Sequence, residues 1–132
     1  VVVCSGGYST FADYARHLSD GSTLPGKGSL AAWGIPKHIP RITSHYDDDP
    51  AKAPFDFTEV LGILAPRPLF TNAATQDEYF PLKGAIKCLE AAKPIYALYH
   101  AEDNLSSIFP DHTHKFLPPE REQAYTFLDK YL

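Results

Sequence analysis

Residues 64–80 read LAPRPLFTNAATQDEYF, and how that run divides decides the fold. Pro66 lacks a backbone donor and ends any helix that reaches it. Pro68-Leu69-Phe70-Thr71 is then a short apolar run between turn formers, the pattern of a buried strand opened by proline. From Asn72 to Phe80 the composition turns polar, so the strand at 68–71 feeds a loop carrying Asp77 and Glu78. Upstream, Asp56-Phe57-Thr58-Glu59 has the spacing of a capping box, and Phe57, Val60, Leu61 and Leu64 recur at helical intervals. Downstream, Pro81 opens a second helix with Leu82, Ala85, Ile86 and Leu89 on one face. Lys93-Pro94 is expected to end that helix, and the apolar run 95–99 to form another strand. A long loop then leads to a final helix opened by Pro118-Pro119, with Ala124, Phe127, Leu128, Tyr131 and Leu132 as its apolar stripe.

At the other end, residues 1–4 form a β-branched run closed by Gly6-Gly7, again a buried strand entering a loop. A short helix over 11–18 is expected, but residues 12–55 as a whole hold no steady period. Five prolines and the acid run Asp47-Asp48-Asp49 break them into loop and turns, as in a functional insertion or lid. Strand, long insertion, helix, strand, helix, strand, loop, helix is the order of an α/β fold, with parallel strands and covering helices. Three strands leave an apolar sheet edge open. We therefore expect 132 residues of one domain whose remaining strands come from an N-terminal part upstream of residue 1; opening on three valines fits a chain entered in mid-strand.

Composition narrows the function. A net charge of −4 offers no basic patch, so neither nucleic acid nor an anionic membrane surface is an expected partner. No apolar run reaches the length of a membrane span. Cys4 and Cys88 are too few for a disulfide framework and read as buried or half-buried free thiols.

In open α/β sheets, ligands bind beyond the carboxyl ends of the strands. That rule selects the loop 72–80, with its carboxylates, and the loop from His100 to Phe116, with Asp111, His112 and His114. A carboxylate that can orient an imidazole is the back half of a nucleophilic triad. His112-Thr113-His114 is also an H-x-H pair, which with Asp111, Asp103 and His100 would give a metal-dependent hydrolase if the ligands converged. His17, His38 and His45 read as surface or turn residues, and the acid run as a solvated turn. Trp33 either lines a pocket or anchors the insertion. Gly7-Tyr8-Ser9-Thr10-Phe11 lacks the second glycine of a nucleophile elbow, so Ser9 reads as a loop serine.

Leu64-Ala65-Pro66-Arg67-Pro68-Leu69-Phe70 with Asp77 and Phe80 resembles the acid-bearing strand and loop of α/β-hydrolases of the dienelactone hydrolase and acetyl-xylan-esterase-like type. Pro110-Asp111-His112-Thr113-His114-Lys115-Phe116, followed by Pro118-Pro119-Glu120-Arg121, resembles that family's histidine loop and last helix. The resemblance covers roughly residue 56 to the C-terminus, and more loosely 1–11. It implies the C-terminal part of an α/β-hydrolase fold, with Asp77 as triad acid, His114 as triad base, no cofactor and a small-molecule ester or thioester as substrate. Glu78 and His112 are the rivals for the two positions. The serine and the oxyanion hole would lie upstream, so the chain alone is expected to be inactive. A non-catalytic binding domain on the same fold is the remaining alternative.

Overall fold

The computed structural model describes residues 1–19, 30–34 and 38–132, and among them three strands form one parallel sheet in the order β1-β2-β3. The elements are β1 (Val2–Ser5), α1 (Phe11–Ser19), α2 (Ile42–His45), α3 (Phe57–Leu64), β2 (Leu69–Asn72), α4 (Leu82–Leu98), β3 (Leu105–Ile108) and α5 (Pro118–Asp129). Central β2 is buried along its whole length, as a strand paired on both sides and covered on both faces must be. Val2 pairs with Leu69 and Leu69 with Leu105, so the three strands end level with one another, at Ser5, Asn72 and Ile108.

α3 starts as its sequence dictates. Asp56 caps it, and the Glu59 carboxylate accepts the Asp56 N–H at 2.8 Å, completing the capping box. Both Asp56 oxygens also accept the Phe11 N–H at 3.0 Å, tying the start of α1 to the start of α3. At the other end, the Arg67 guanidinium donates to the Ile63 and Leu64 carbonyls, and the Arg67 backbone N–H also donates to Leu64 at 2.8 Å, closing the end of the helix. The inward faces of α3 and α4 meet β1 and β2 in a core of Leu61, Leu69, Ala85, Cys88, Ala92 and Tyr96.

The third strand is not where the sequence pattern places it. Residues 95–98, expected as a strand, continue α4, which runs through Pro94. Pro94 forfeits one intrahelical bond, but fully buried Tyr96 holds the last turn down by donating its hydroxyl to the Arg67 carbonyl at 2.8 Å. The actual strand, Leu105-Ser106-Ser107-Ile108, lies in what reads as loop. It is an edge strand with one partner and only partial burial, so two serines fit it where an interior strand would need apolar residues. Smaller shifts accompany this: β1 and β2 each begin and end one residue later than expected. Ile86 and Val60 are more than a third exposed, and Leu132 lies outside α5, almost fully exposed.

The insertion has a core of its own. Phe11, Tyr14, Leu30, Trp33 and Ile42 are buried together, with Phe55, Phe57 and Phe80 packed against them. Fully buried Phe11 sits at its centre, its ring 5.6 Å from that of Phe55 and 5.7 Å from that of Phe57. The side chain of His17, and the prolines at 25 and 36, lie outside the described residues. The acid run is a turn with Asp47 and Asp48 at positive φ, closed by an exposed Asp47–Lys52 pair. Among the described residues no helix is long and apolar enough to cross a membrane.

Candidate active site

The level carboxyl ends of β1, β2 and β3 release three loops into one place. Backbone bonds carry the β2–β3 pairing outward beyond the strands: the Ala73 N–H donates to the Ile108 carbonyl, Thr75 to Pro110 and Gln76 to His112, at 2.9–3.1 Å. The Asp111 carboxylate adds a brace, accepting from the Thr75 hydroxyl at 2.7 Å and the Gln76 amide at 2.8 Å, and these donors hold its carboxyl below the usual range. The acid loop and the histidine loop are therefore one bonded unit.

That unit brings Asp77 and His114 together. Asp77 Oδ2 lies 2.9 Å from His114 Nδ1. Asp77 Oδ1 accepts the backbone N–H groups of Tyr79 and Phe80 at 2.9 and 2.8 Å, so neither oxygen is left to rotate freely. The acid side chain is buried, at 2% exposure, while the histidine side chain is 35% exposed. Among the described residues nothing bonds Nε2 of His114. Tyr79 meets the ring edge-on at 5.1 Å, and Phe80 lies 5.7 Å away, tilted by 31°. Phe80 also touches Trp33 and Tyr14, joining the insertion's core to the histidine. Burial, and then the nearby charge of Asp77, push the Tyr14 hydroxyl up from its ordinary range.

Gly6 completes the enclosure. Its φ is +55°, and a Cβ there would stand 2.6 Å from His114 Cε1, 2.7 Å from Nδ1 and 3.1 Å from Asp77 Oδ2. Only glycine meets both conditions. The end of β1 is itself pinned, since Gly6 N–H donates to the Asn72 carbonyl at 2.9 Å and the Asn72 amide to the Ser5 hydroxyl at 2.8 Å. Sequence reading took Gly6-Gly7 only as a strand terminator. Two adjacent glycines at the carboxyl end of a strand, level with the acid and histidine loops, were the available signal.

The rivals occupy other places. Glu78 Oε2 accepts the backbone N–H of His114 at 2.9 Å, which draws its carboxyl below the ordinary range, so it holds the histidine's main chain while Asp77 holds its ring. His112 turns toward α5, with Nε2 3.5 Å from Glu120. The H-x-H pair therefore diverges, and among the described residues no three His, Cys, Asp or Glu side chains gather to hold a metal. Ser9 is fully buried, its hydroxyl facing the Pro81 carbonyl and packed against Gly84 of α4. Both cysteines are free; burial pushes the Cys4 thiol up and the Cys88 thiol up to about 12. Trp33 anchors the insertion, buried at 7% exposure.

The parallel sheet with helices around it is part of an α/β-hydrolase fold. The chain superimposes on the glucuronoyl esterase from Solibacter usitatus with a TM-score of 0.60 over 95% of this chain and 33% of that one, at 18% identity. In sequence it is similar to the 4-O-methyl-glucuronoyl methylesterase 1 of Wolfiporia cocos, 27% identical over 90 residues, and to the 4-O-methyl-glucuronoyl methylesterase of Phanerochaete carnosa, 28% identical over 81 residues. These alignments take in 67% and 60% of the chain but 22% and 20% of the relatives, so it spans about a fifth of the length of the curated relatives it matches. No protein-family model matches the chain.

Proposed function

We propose that this chain is the C-terminal part of a serine-type esterase and supplies two members of its triad. His114 is the general base and later the general acid, and Asp77 fixes its tautomer. The observation that carries the reading is the 2.9 Å contact between Asp77 Oδ2 and His114 Nδ1, with the acid buried and Nε2 left open. A proton on Nδ1 donated to Asp77 leaves the Nε2 lone pair to accept a proton from a serine hydroxyl. The serine, contributed from upstream of residue 1, attacks the ester carbonyl and forms an acyl-enzyme with loss of the alcohol. Water activated by the same nitrogen then releases the acid. Burial lets the Asp77 charge act on the imidazolium that forms, since little water screens it.

The relatives support a substrate class. Their names specify methyl esters of a glucuronoyl group, and for this chain we propose a carboxylic ester of a sugar acid, with other esters and thioesters as weaker substrates. In the whole protein, assayed on methyl 4-O-methyl-glucuronate, His114→Ala is expected to lower turnover by on the order of 10⁶, as loss of a triad base does elsewhere. Turnover within tenfold of the unaltered enzyme would remove His114 from the role.

A further inference from the structure

We infer that Asn72 is a positioning residue for His114: its buried side-chain amide holds both the main chain just beyond the histidine and the strand end that walls its ring. Asn72 closes β2 and is 1% exposed. It stands in register with Ser5 at the end of β1, so both side chains leave the sheet on one face. The amide nitrogen donates one hydrogen to the Ser5 hydroxyl at 2.8 Å and the other to the Lys115 carbonyl at 3.3 Å. A carbonyl oxygen can only accept, so the nitrogen, and not Oδ1, must face Lys115. Both N–H groups of the amide are therefore committed, each to a different segment of the chain.

The amide's own oxygen shows what that orientation serves. Among the described residues Asn72 Oδ1 is buried with no hydrogen-bond partner. An acceptor left unpaired in the interior offsets what the two N–H bonds contribute, so the amide is a poor choice for stability alone. Turning it over would give Oδ1 the Ser5 hydroxyl as a donor, but would set two oxygens face to face at Lys115. The side chain has one workable orientation, and that orientation fixes the ends of β1 and β2 and the histidine loop against one another.

The arrangement bears on His114 from two directions. Glu78 Oε2 accepts the His114 N–H at 2.9 Å, and Asn72 takes the carbonyl one residue further on, so the main chain is anchored on both sides of the histidine. Glu78 is exposed, where water competes for its bond; Asn72 is buried, where water does not. Gly6, whose N–H donates to the Asn72 carbonyl at 2.9 Å, lies so close to the His114 ring that a Cβ would come within 2.6 Å of Cε1. One residue thus sets both the tether of the ring and the wall against it. The catalytic consequence rests on the function proposed above, but the hydrogen bonding of the amide does not.

The test is made on the whole protein. Asn72→Ala is expected to lower kcat by about 10- to 100-fold with KM little changed, the range a displaced catalytic group produces. In the same variant the proton between His114 Nδ1 and Asp77 is expected to shift its NMR resonance, which loss of a merely structural side chain would not cause. Should that variant fail to fold, Asn72→Thr, of similar bulk and suited to a strand, gives both readouts, since one hydroxyl hydrogen cannot serve two acceptors. In the unaltered protein labelled with ¹⁵N at asparagine, both Asn72 side-chain hydrogens are expected to exchange with deuterium far more slowly than those of an exposed asparagine. Free exchange of either hydrogen overturns the anchoring. A kcat within about twofold of the unaltered enzyme, or a loss confined to KM, overturns the positioning role. If His114→Ala stays active while both Asn72 hydrogens are protected, the proposed function fails and the anchoring stands.

Discussion

The two ends of Phe80 meet two kinds of construction. On one side, the loops after β2 and β3 are fixed by short directed bonds: Asp77 to a ring and two N–H groups, Glu78 to a backbone N–H, Asp111 across to Thr75 and Gln76. On the other, the insertion is held by aromatic rings at 5.0–6.1 Å around Phe11 and Trp33, with Phe80 among them. Ring packing fills volume and tolerates small rotations, because each contact is weak and broadly directed. Charge-assisted hydrogen bonds fix angles. His114, proposed as general base, needs its angle fixed, whereas the packing of the insertion fixes shape alone. The difference implies that damage on the first side is read in turnover, and damage on the second in stability.

The comparison is open to direct attack, starting with the largest effect. Asp77→Asn keeps the shape but presents the wrong hydrogen-bond pattern to Nδ1, and in the whole enzyme turnover is expected to fall by about 10⁴, with the melting temperature little changed. Near-normal turnover would break the proposed assignment. Gly6→Ala forces a side chain into the His–Asp pair and strains a positive φ, so a drop of about 100-fold in kcat is expected from displacement of the ring. In the insertion, Phe11→Ala should cost about 3–5 kcal/mol in denaturant unfolding while kcat in the folded fraction changes by less than tenfold. A loss confined to kcat would mean that the insertion, too, is an orienting device.

The smallest effect expected concerns buried Asp13 on α1. Burial would raise its carboxyl, but Lys87 at 2.7 Å, the Thr10 hydroxyl and Arg16 outweigh it and hold the carboxyl below its ordinary value. A carboxylate lowered in the folded state stabilises fully above its unfolded value and loses that contribution as pH falls through the lowered one. The Lys87 side chain is half-exposed, so Lys87→Met should cost only about 1 kcal/mol at pH 7, shrinking on acidification. An equal cost at pH 7 and in acid would show that packing of the lysine stem, not charge, is what was lost.

Much of this arrangement could be read in the chain before its coordinates. β2, α3 and α5 announce themselves because local rules and burial agree there: a proline stop, a capping box, a proline-opened helix. Strand order selects the two loops that carry Asp77 and His114, because the carboxyl ends of parallel neighbours face the same side; the choice of those two residues within the loops comes from the resemblance to α/β-hydrolases. What failed was the choice between residues 95–99 and 105–108. An apolar run after Pro94 looks like a strand by composition, yet Tyr96 finds its buried partner from a helix. The true edge strand needs little apolar character, so periodicity has nothing to detect. Gly6 was legible as a turn but not as a neighbour of His114, since contacts between residues so far apart in sequence leave no local mark. Nor did spacing show that Glu78 grips a backbone while Asp77 grips a ring, because both lie on the same loop one residue apart.

The backbone bonds that run on from β2–β3 into the loops mean that the ladder itself acts as the ruler between Asp77 and His114. Surface loops ordinarily absorb insertions and deletions without harm. This pair of loops is different: one residue added or removed between Pro110 and His112 would shift the Thr75 and Gln76 bonds against each other and move His114 relative to Asp77. Variation in length should therefore be tolerated in the insertion and excluded here, so a library of single-residue deletions would trace the outline of the site without any substrate in the tube.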